Sequence, residues 1–474
     1  MRLKRSLRLL SWSLGGAVLL LGLFHLEENA RGRRAWEAWK AQRVAQGDRY
    51  DWSKLAPPPV PDAENFAKEP LVEAAVTGKA PLLGGFSWPD KAPAFADWRL
   101  GQTQDVGAWA AAFGTPDLAS ALKPLDGRLD ELTAATERPA CRMPFRYHYP
   151  EISRDPIPGL LGFRAAARVL SLRAVARLRS GDAAGALEDC LAGLRLVRQF
   201  QAEPSMLSSL LAQALSGIAM QGVWEGLSTH AWSEPQLARL QAELGKLDLL
   251  AAYRRALESE RVFAAQAGEA ELRASGWQQA KDRSLTPDAA GDLDLDRFRA
   301  LGTWLLVPSG WHGLTLREMD RHYVEGYLPA VDPGAHRIHL DLLRRTAAQD
   351  TPSLVNPYGG IAARMLVPQG LRTALHQNAL DEARTVCALE RHRLAHGAYP
   401  ATLEALVPAF LDRVPTDVVD GTALRYRLEG PGTFRLYALG PDGQDGGGQP
   451  AKAPDGRLDP ERGDWAWPEA PSAK

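Results

Sequence analysis

Cysteine is scarce: Cys141, Cys190 and Cys387 are the only three in 474 residues. They stand too far apart for the disulfide framework of a small secreted domain, and no C-x-x-C pair offers a structural zinc site. An excess of charge of one sign is missing as well. The chain has 56 Lys and Arg against 57 Asp and Glu, a formal net charge of -1. That removes the basic surplus that marks a nucleic-acid binder, so nucleic acid is not an expected partner. There is no G-x-S-x-G, no Walker loop and no G-x-G-x-x-G, which excludes the easily recognised hydrolase, NTPase and dinucleotide-binding classes. What is present is globular: 45% apolar and 24% charged residues, over a length that implies two or three folding units.

One apolar run stands out. Leu9 to Leu26 (LLSWSLGGAVLLLGLFHL) holds no formally charged side chain over 18 residues, at the lower edge of what spans ~30 Å of hydrocarbon at ~1.5 Å per residue. Arg2, Lys4, Arg5 and Arg8 precede it, the order of a signal sequence. HLEENARG offers no good small-residue cleavage site, so an uncleaved signal-anchor is expected within residues 1–34, with membrane lipid as its partner. Arg31, Arg33, Arg34, Lys40 and Arg43 follow, and the flanking charges alone do not decide orientation. A short, strongly positive N-tail is hard to translocate, which puts the N-terminus inside and the body outside the cytoplasm, as in a single-pass protein of a bacterial inner membrane. Trp36 and Trp39 are expected either at the membrane interface or on an ordinary amphipathic helix.

The body reads as mainly α. Residues 35–61 form a short helix and a stiff spacer around Pro57, Pro58, Pro59 and Pro61. Residues 62–158 are mixed, with Trp88, Trp98 and Trp109 among short helices and loops. A helical bundle over 159–360 follows. Leu160, Phe163, Ala167, Leu170, Ala174 and Leu178 share one helix face, and Gly181-Asp182 ends that helix and starts another carrying Leu187, Cys190, Leu191, Leu194 and Val197. Pro204-Ser205 opens a third, reaching about Ser228. Ser233, Pro235 and Gln236 make a capping box for a fourth, reaching about Ala270. A further helix is expected around Leu314 to Tyr327. The pair at Gly181-Asp182 resembles one tetratricopeptide-type hairpin, but no 34-residue recurrence supports a solenoid.

The last unit, 361–450, is expected as a small α+β fold. A long helix spans Ile361 to His396 and closes at Gly397. A short helix follows, with Leu403, Leu406 and Val407 folding back on it. Two strands, Leu424 to Leu428 and Phe434 to Leu439, form a ribbon around Gly430-Pro431-Gly432. Residues 451–474 are expected as a disordered tail. Glu390, Gly397, Tyr399, Pro400, Leu403, Leu406, Val407, Pro408, Pro415, Asp417, Asp420, Gly421, Tyr426, Tyr437, Gly440, Asp442, Gly443, Asp445 and Gly446 carry a resemblance to the globular part of the major pseudopilins of type II secretion systems. They resemble the same ending in uncharacterised bacterial membrane-anchored envelope proteins too. The resemblance implies an exported α+β domain and a calcium loop, with Asp442 and Asp445 as its carboxylates. Pseudopilins run their membrane helix directly into this domain; here it begins at residue 361, far past the anchor, so a repurposed domain is expected in place of a pilus subunit.

Other candidate ligands are weaker. Asp292, Asp294 and Asp296 copy the start of an EF-hand loop, but Arg297 and Thr303 replace the required Gly and Glu. His336 and His339, like His392 and His396, have metal-compatible spacing without a third ligand. Glu258 and Glu260 lack an acid–base partner pattern. The expected function is therefore a non-enzymatic, membrane-anchored envelope scaffold or interaction module that binds other envelope proteins. The alternatives are an envelope hydrolase with a site between the bundle and the Trp-rich N-terminal region, and a glycan- or peptide-binding module using exposed Trp residues.

Overall fold

The computed structural model describes residues 2–147, 158–273, 307–353, 360–430 and 432–469. The chain is mainly helical, with small antiparallel sheets near its C-terminus. Helix α1, Arg2–Ala45, is continuous. No proline or left-handed glycine interrupts it until Gly47, where φ reaches 98°. Four short helices follow: α2 (Pro70–Val76), α3 (Val106–Phe113), α4 (Leu118–Leu122) and α5 (Asp126–Thr136). Asp105 and Asp117 cap α3 and α4 by accepting backbone N–H groups of Ala108 and Ser120. With the short turns Phe66–Lys68 and Trp98–Leu100, these helices lay Phe66, Trp98, Trp109 and Leu129 onto the bundle core.

The bundle follows the expected punctuation. Helix α6 (Pro158–Arg179) ends at Gly181, φ 85°, and Asp182 caps α7 (Ala183–Gln201) through the Gly185 N–H. Ser205 caps α8 (Met206–Ser228). The capping box of Ser233 and Gln236 opens α9 (Glu234–Leu244). The expected fourth helix breaks in two, however. Gly245 ends α9, and Asp248 accepts the Ala251 N–H at 2.8 Å to start α10 (Leu249–Arg273). A weak helix former beside a strong capping residue outweighs the continuing apolar period.

Helix α11 (Trp311–His322) passes into a π turn, Tyr323–Tyr327, and a two-residue hairpin, β1 (Val331–Asp332) with β2 (Arg337–Ile338). After α12 (Leu340–Gln349), helix α13 runs Ile361–His396 and ends on left-handed Gly397. Strands β3 (Arg425–Gly430) and β4 (Thr433–Ala438) pair as the expected ribbon, Tyr426 opposite Leu436.

The C-terminal stretch departs from expectation. Residues 451–474 are not a disordered tail as far as Glu469. Strands β5 (Pro450–Lys452) and β6 (Leu458–Gly463) form a hairpin, and β7 (Trp465–Ala466) adds a third strand beside β4. The reason is apolar area. Trp465 and Trp467 are buried, and an indole buries roughly 150–250 Å². Asp464 fixes the turn before them, its Oδ2 accepting the N–H groups of Gly446, Gly448 and Gln449.

Helix α8 packs on α6, α7, α10 and α13, while α13 also packs on α9 and α12. One contiguous apolar core reaches from Phe66 to Trp467. Among the described residues, two small clusters stand apart from it, one joining Trp36 of α1 to Ala265 and Leu316 and one around Trp52, Tyr147 and Val262.

Candidate functional site

Three places carry more chemistry than packing requires. The first is where α1 meets the body. Trp36 and Trp39 are held by the body. Trp36 is buried, and its Nε1–H donates to Glu269 at 2.9 Å; the Trp39 Nε1–H donates to Asp320 at 2.8 Å. Lys40 joins Glu269 at 2.6 Å. Asp320 is fully buried and accepts from Trp39, from the Tyr50 hydroxyl at 2.7 Å and from Arg261 Nε at 2.7 Å. Arg261 also reaches Asp48 at 2.7 Å, and Arg43 holds the same Asp48 oxygen at 2.7 Å. Burial alone would raise the Asp48 carboxyl, but the hydrogen bonds from Arg43 and Arg261 hold it below the usual carboxylate range. Burial and the Asp320 charge push the Tyr50 phenol upward. This is a desolvated charge network with its donors paired, the condition under which buried ions are tolerated.

Further up, α1 and the start of α11 touch backbone to backbone. A Cβ on Gly32 would lie 1.7 Å from the Gly310 carbonyl oxygen, and one on Gly313 would lie 2.4 Å from the Gly32 oxygen. Asn29 Oδ1 accepts the Gly310 N–H at 2.7 Å and the Ser309 hydroxyl at 3.2 Å. The Trp311 Nε1–H donates to Glu28 at 2.7 Å, and its ring meets Phe24 edge-on.

The second place lies inside the body. Arg99 Nη2 is 3.1 Å from His376 Nδ1, and Ser216 Oγ is 3.1 Å from the same nitrogen. Burial, with Arg99 and Arg372 nearby, drives His376 well below its ordinary pKa, so the ring is neutral. Burial, then the Asp417 charge, pushes the neighbouring Glu382 carboxyl well above the carboxylate range. Trp98, Arg99, Leu375, Ala379, Glu382, Leu458 and Trp465 enclose a small cavity. Its free space of about 10 Å³ admits one water. Among the described residues, Glu382 Oε1, Arg99 Nε and the indole N–H groups of Trp98 and Trp465 have no protein partner, a donor and acceptor set suited to such a water. The Ser216 hydroxyl also lies 2.8 Å from the Gln213 carbonyl, which competes with His376 as its acceptor, and it sits buried in mid-helix. No sequence pattern joined Ser216, His376 and Arg99, which come from α8, α13 and a short turn before α3.

The third place is the loop with the expected calcium carboxylates. Asp442 accepts the Gln444 N–H at 3.1 Å and the Gly463 N–H at 2.9 Å. Asp445 accepts the Gly447 N–H at 2.9 Å and the Tyr437 hydroxyl at 3.0 Å. These hydrogen bonds make the loop a self-capped turn. Among the described residues, no three His, Cys, Asp or Glu side chains group as metal ligands.

The histidine pairs separate. His336 bonds Asp381 at 2.8 Å, whereas His339 stands before α12. His392 and His396 stack at 4.2 Å with each Nδ1 on a backbone carbonyl. Glu258 pairs with Arg254, and burial raises the Glu260 carboxyl. Asp292, Asp294 and Asp296 lie outside the described residues. The cysteines are free and buried. The residues that carried the pseudopilin resemblance act as pins. Glu390 accepts from Tyr399 and from Arg393, and Asp417 accepts the Asn378 amide, the Val419 N–H and the Leu439 N–H.

Compared with protein families, curated proteins and solved structures, the chain matches none. Function therefore rests on the geometry above.

Proposed function

We propose that this chain is a non-enzymatic scaffold or interaction module of the bacterial envelope, held in the inner membrane by Leu9–Leu26 with its body on the extracytoplasmic side. The observation that carries this reading is one helix with two characters. Trp12, Leu14, Val18, Leu19, Leu20, Leu23 and Leu26 stand exposed on α1, an apolar surface that water penalises at roughly 25 cal/mol per Å². The same helix is then locked into the body by a buried charge network. The resemblance of the last unit to pseudopilins supports export, with other envelope proteins as partners and residues 361–469 as a repurposed pilin-like element integrated into the bundle.

The test is fractionation followed by crosslinking in intact cells. Resistance to alkaline carbonate extraction, protease access to the body only from the extracytoplasmic side, and recovery of envelope proteins as crosslinked partners are expected. Extraction by carbonate would refute the anchor.

The alternative, an envelope hydrolase, draws on Ser216 lying beside His376. It requires Ser216 to react with a fluorophosphonate probe in the folded protein. Labelling that disappears in S216A would overturn the scaffold reading.

A further inference from the structure

Helix α1 crosses from its exposed apolar part into its docked part without a break. A continuous α-helix transmits orientation, unlike a glycine-rich or irregular linker. On the body side it is held at several successive levels: Asn29 on Gly310, Gly32 on Gly310 and Gly313, Trp36 and Lys40 on Glu269, and Trp39 on Asp320. The glycine contacts are backbone against backbone, so side-chain rearrangement cannot slide α11 along α1. The start of α11 is thereby pinned level with Glu28 and Asn29, within one helical turn of Leu26, where the apolar run ends.

Trp311 stands at that level. Its ring lies 6.4 Å from Phe24 at 89°, on the apolar side, and its N–H meets the Glu28 carboxylate on the polar side. An indole with its ring toward hydrocarbon and its N–H toward charge is the arrangement of a membrane-interface tryptophan. One turn on, Arg31, Arg33 and Arg34 are exposed. Arg31 pairs with Glu28 and Arg34 with Glu27.

We propose that the edge of the body formed by Ser309 to His312, with Trp311 at its centre, lies in the phospholipid headgroup layer, so that α1 clamps the body flush against the membrane surface and fixes its orientation. This rests on reading α1 as an anchor. The partner is the lipid interface itself: the Trp311 ring at the level of the acyl-chain ends nearest the headgroups, and the arginines among the phosphates.

The experiment uses the full chain reconstituted in vesicles of phosphatidylcholine and phosphatidylglycerol. Cys141, Cys190 and Cys387 are buried, which lets an introduced cysteine take a bimane label in the folded protein. Labels go at Ser309→Cys and, as a distant reference, at Asp455→Cys, and are quenched by lipid carrying a doxyl group near its headgroup. Quenching at 309 is expected to exceed that at 455 by about twofold or more, as for a side chain at interfacial depth. Adding Gly32→Leu should abolish the excess while the chain still floats with the vesicles. Equal quenching at 309 and 455 in a chain that floats overturns the clamp and leaves the anchor standing. Excess quenching that survives Gly32→Leu also overturns it, because the glycine contact would not set the depth. A chain that fails to float after alkaline carbonate removes the anchor reading, and the clamp with it.

Discussion

Helices α1 and α8 both carry long apolar runs, yet the molecule surrounds them differently. Trp12, Leu14, Leu20 and Leu26 of α1 are each more than 60% exposed. Helix α8 is long and apolar enough to cross a membrane, with a mean hydropathy of 1.3, yet 72% of that window is buried inside the body. What divides them is the polar and small residues between the apolar ones. Gln213 donates to Thr373, Gln221 to the Gln102 carbonyl, and Glu225 accepts the Gln104 N–H. Gly222 lies against Cys190 and Ala174, and Gly226 against Trp232. Lipid supplies none of these partners. Among the described residues, nothing lies within 4 Å of a Cβ built on Gly15, Gly16 or Gly22 of α1. Hydropathy counts side chains, whereas burial depends on partners.

The comparison can be broken most strongly in α8. Trp224 is fully buried and its Nε1–H donates to the Pro468 carbonyl, so Trp224→Ala should cost about 3–5 kcal/mol in denaturant unfolding. At the inner half of α1, Arg261→Ala leaves the buried Asp320 without its cation. A loss of about 3 kcal/mol is expected there, read as faster hydrogen exchange over Trp36 to Arg43 while the main core stays protected.

Glu225 sharpens the contrast through pH. Burial raises its folded pKa above the ordinary carboxylate value, so the folded state holds the proton longer than the unfolded chain. Its stabilising contribution is present below the unfolded pKa and is lost as pH rises toward the folded one, at up to about 1.4 kcal/mol per pH unit. Glu225→Gln should flatten that slope in unfolding measured from pH 4.5 upward. Asp442 and Asp445 as calcium ligands predict a Tm that rises with added calcium, because a ligand raises it by binding the folded state; a Tm that does not move removes them. The smallest effect belongs to the outer half of α1: Leu20→Ala should change body stability by less than about 0.5 kcal/mol.

Local rules made much of the fold legible. Gly181-Asp182, Ser205, the Ser233 box and Gly397 end or start helices where their backbone chemistry dictates, within a residue or two. The third strand was not legible, because β7 is two residues long and its stability comes from two indoles meeting a core assembled elsewhere. The cluster of Arg99, Ser216, His376 and Glu382 was invisible for the same reason: it draws on three segments that stand more than a hundred residues apart and follow no spacing. The expected calcium loop was legible only as a pattern of Asp and Gly, and that pattern serves turns as well as metals.

By itself the sequence determined an uncharged run behind a positive tail, a set of capped helices and a Gly-terminated long helix, since each depends on neighbours within a few residues. Tertiary structure decided that α8 is core, that Trp36 and Trp39 belong to the body while Trp311 takes the place beside Phe24, and that α1 continues unbroken into a buried charge network. Those outcomes depend on which distant surfaces meet, and a Cβ forbidden at Gly32 has meaning only once Gly310 is beside it.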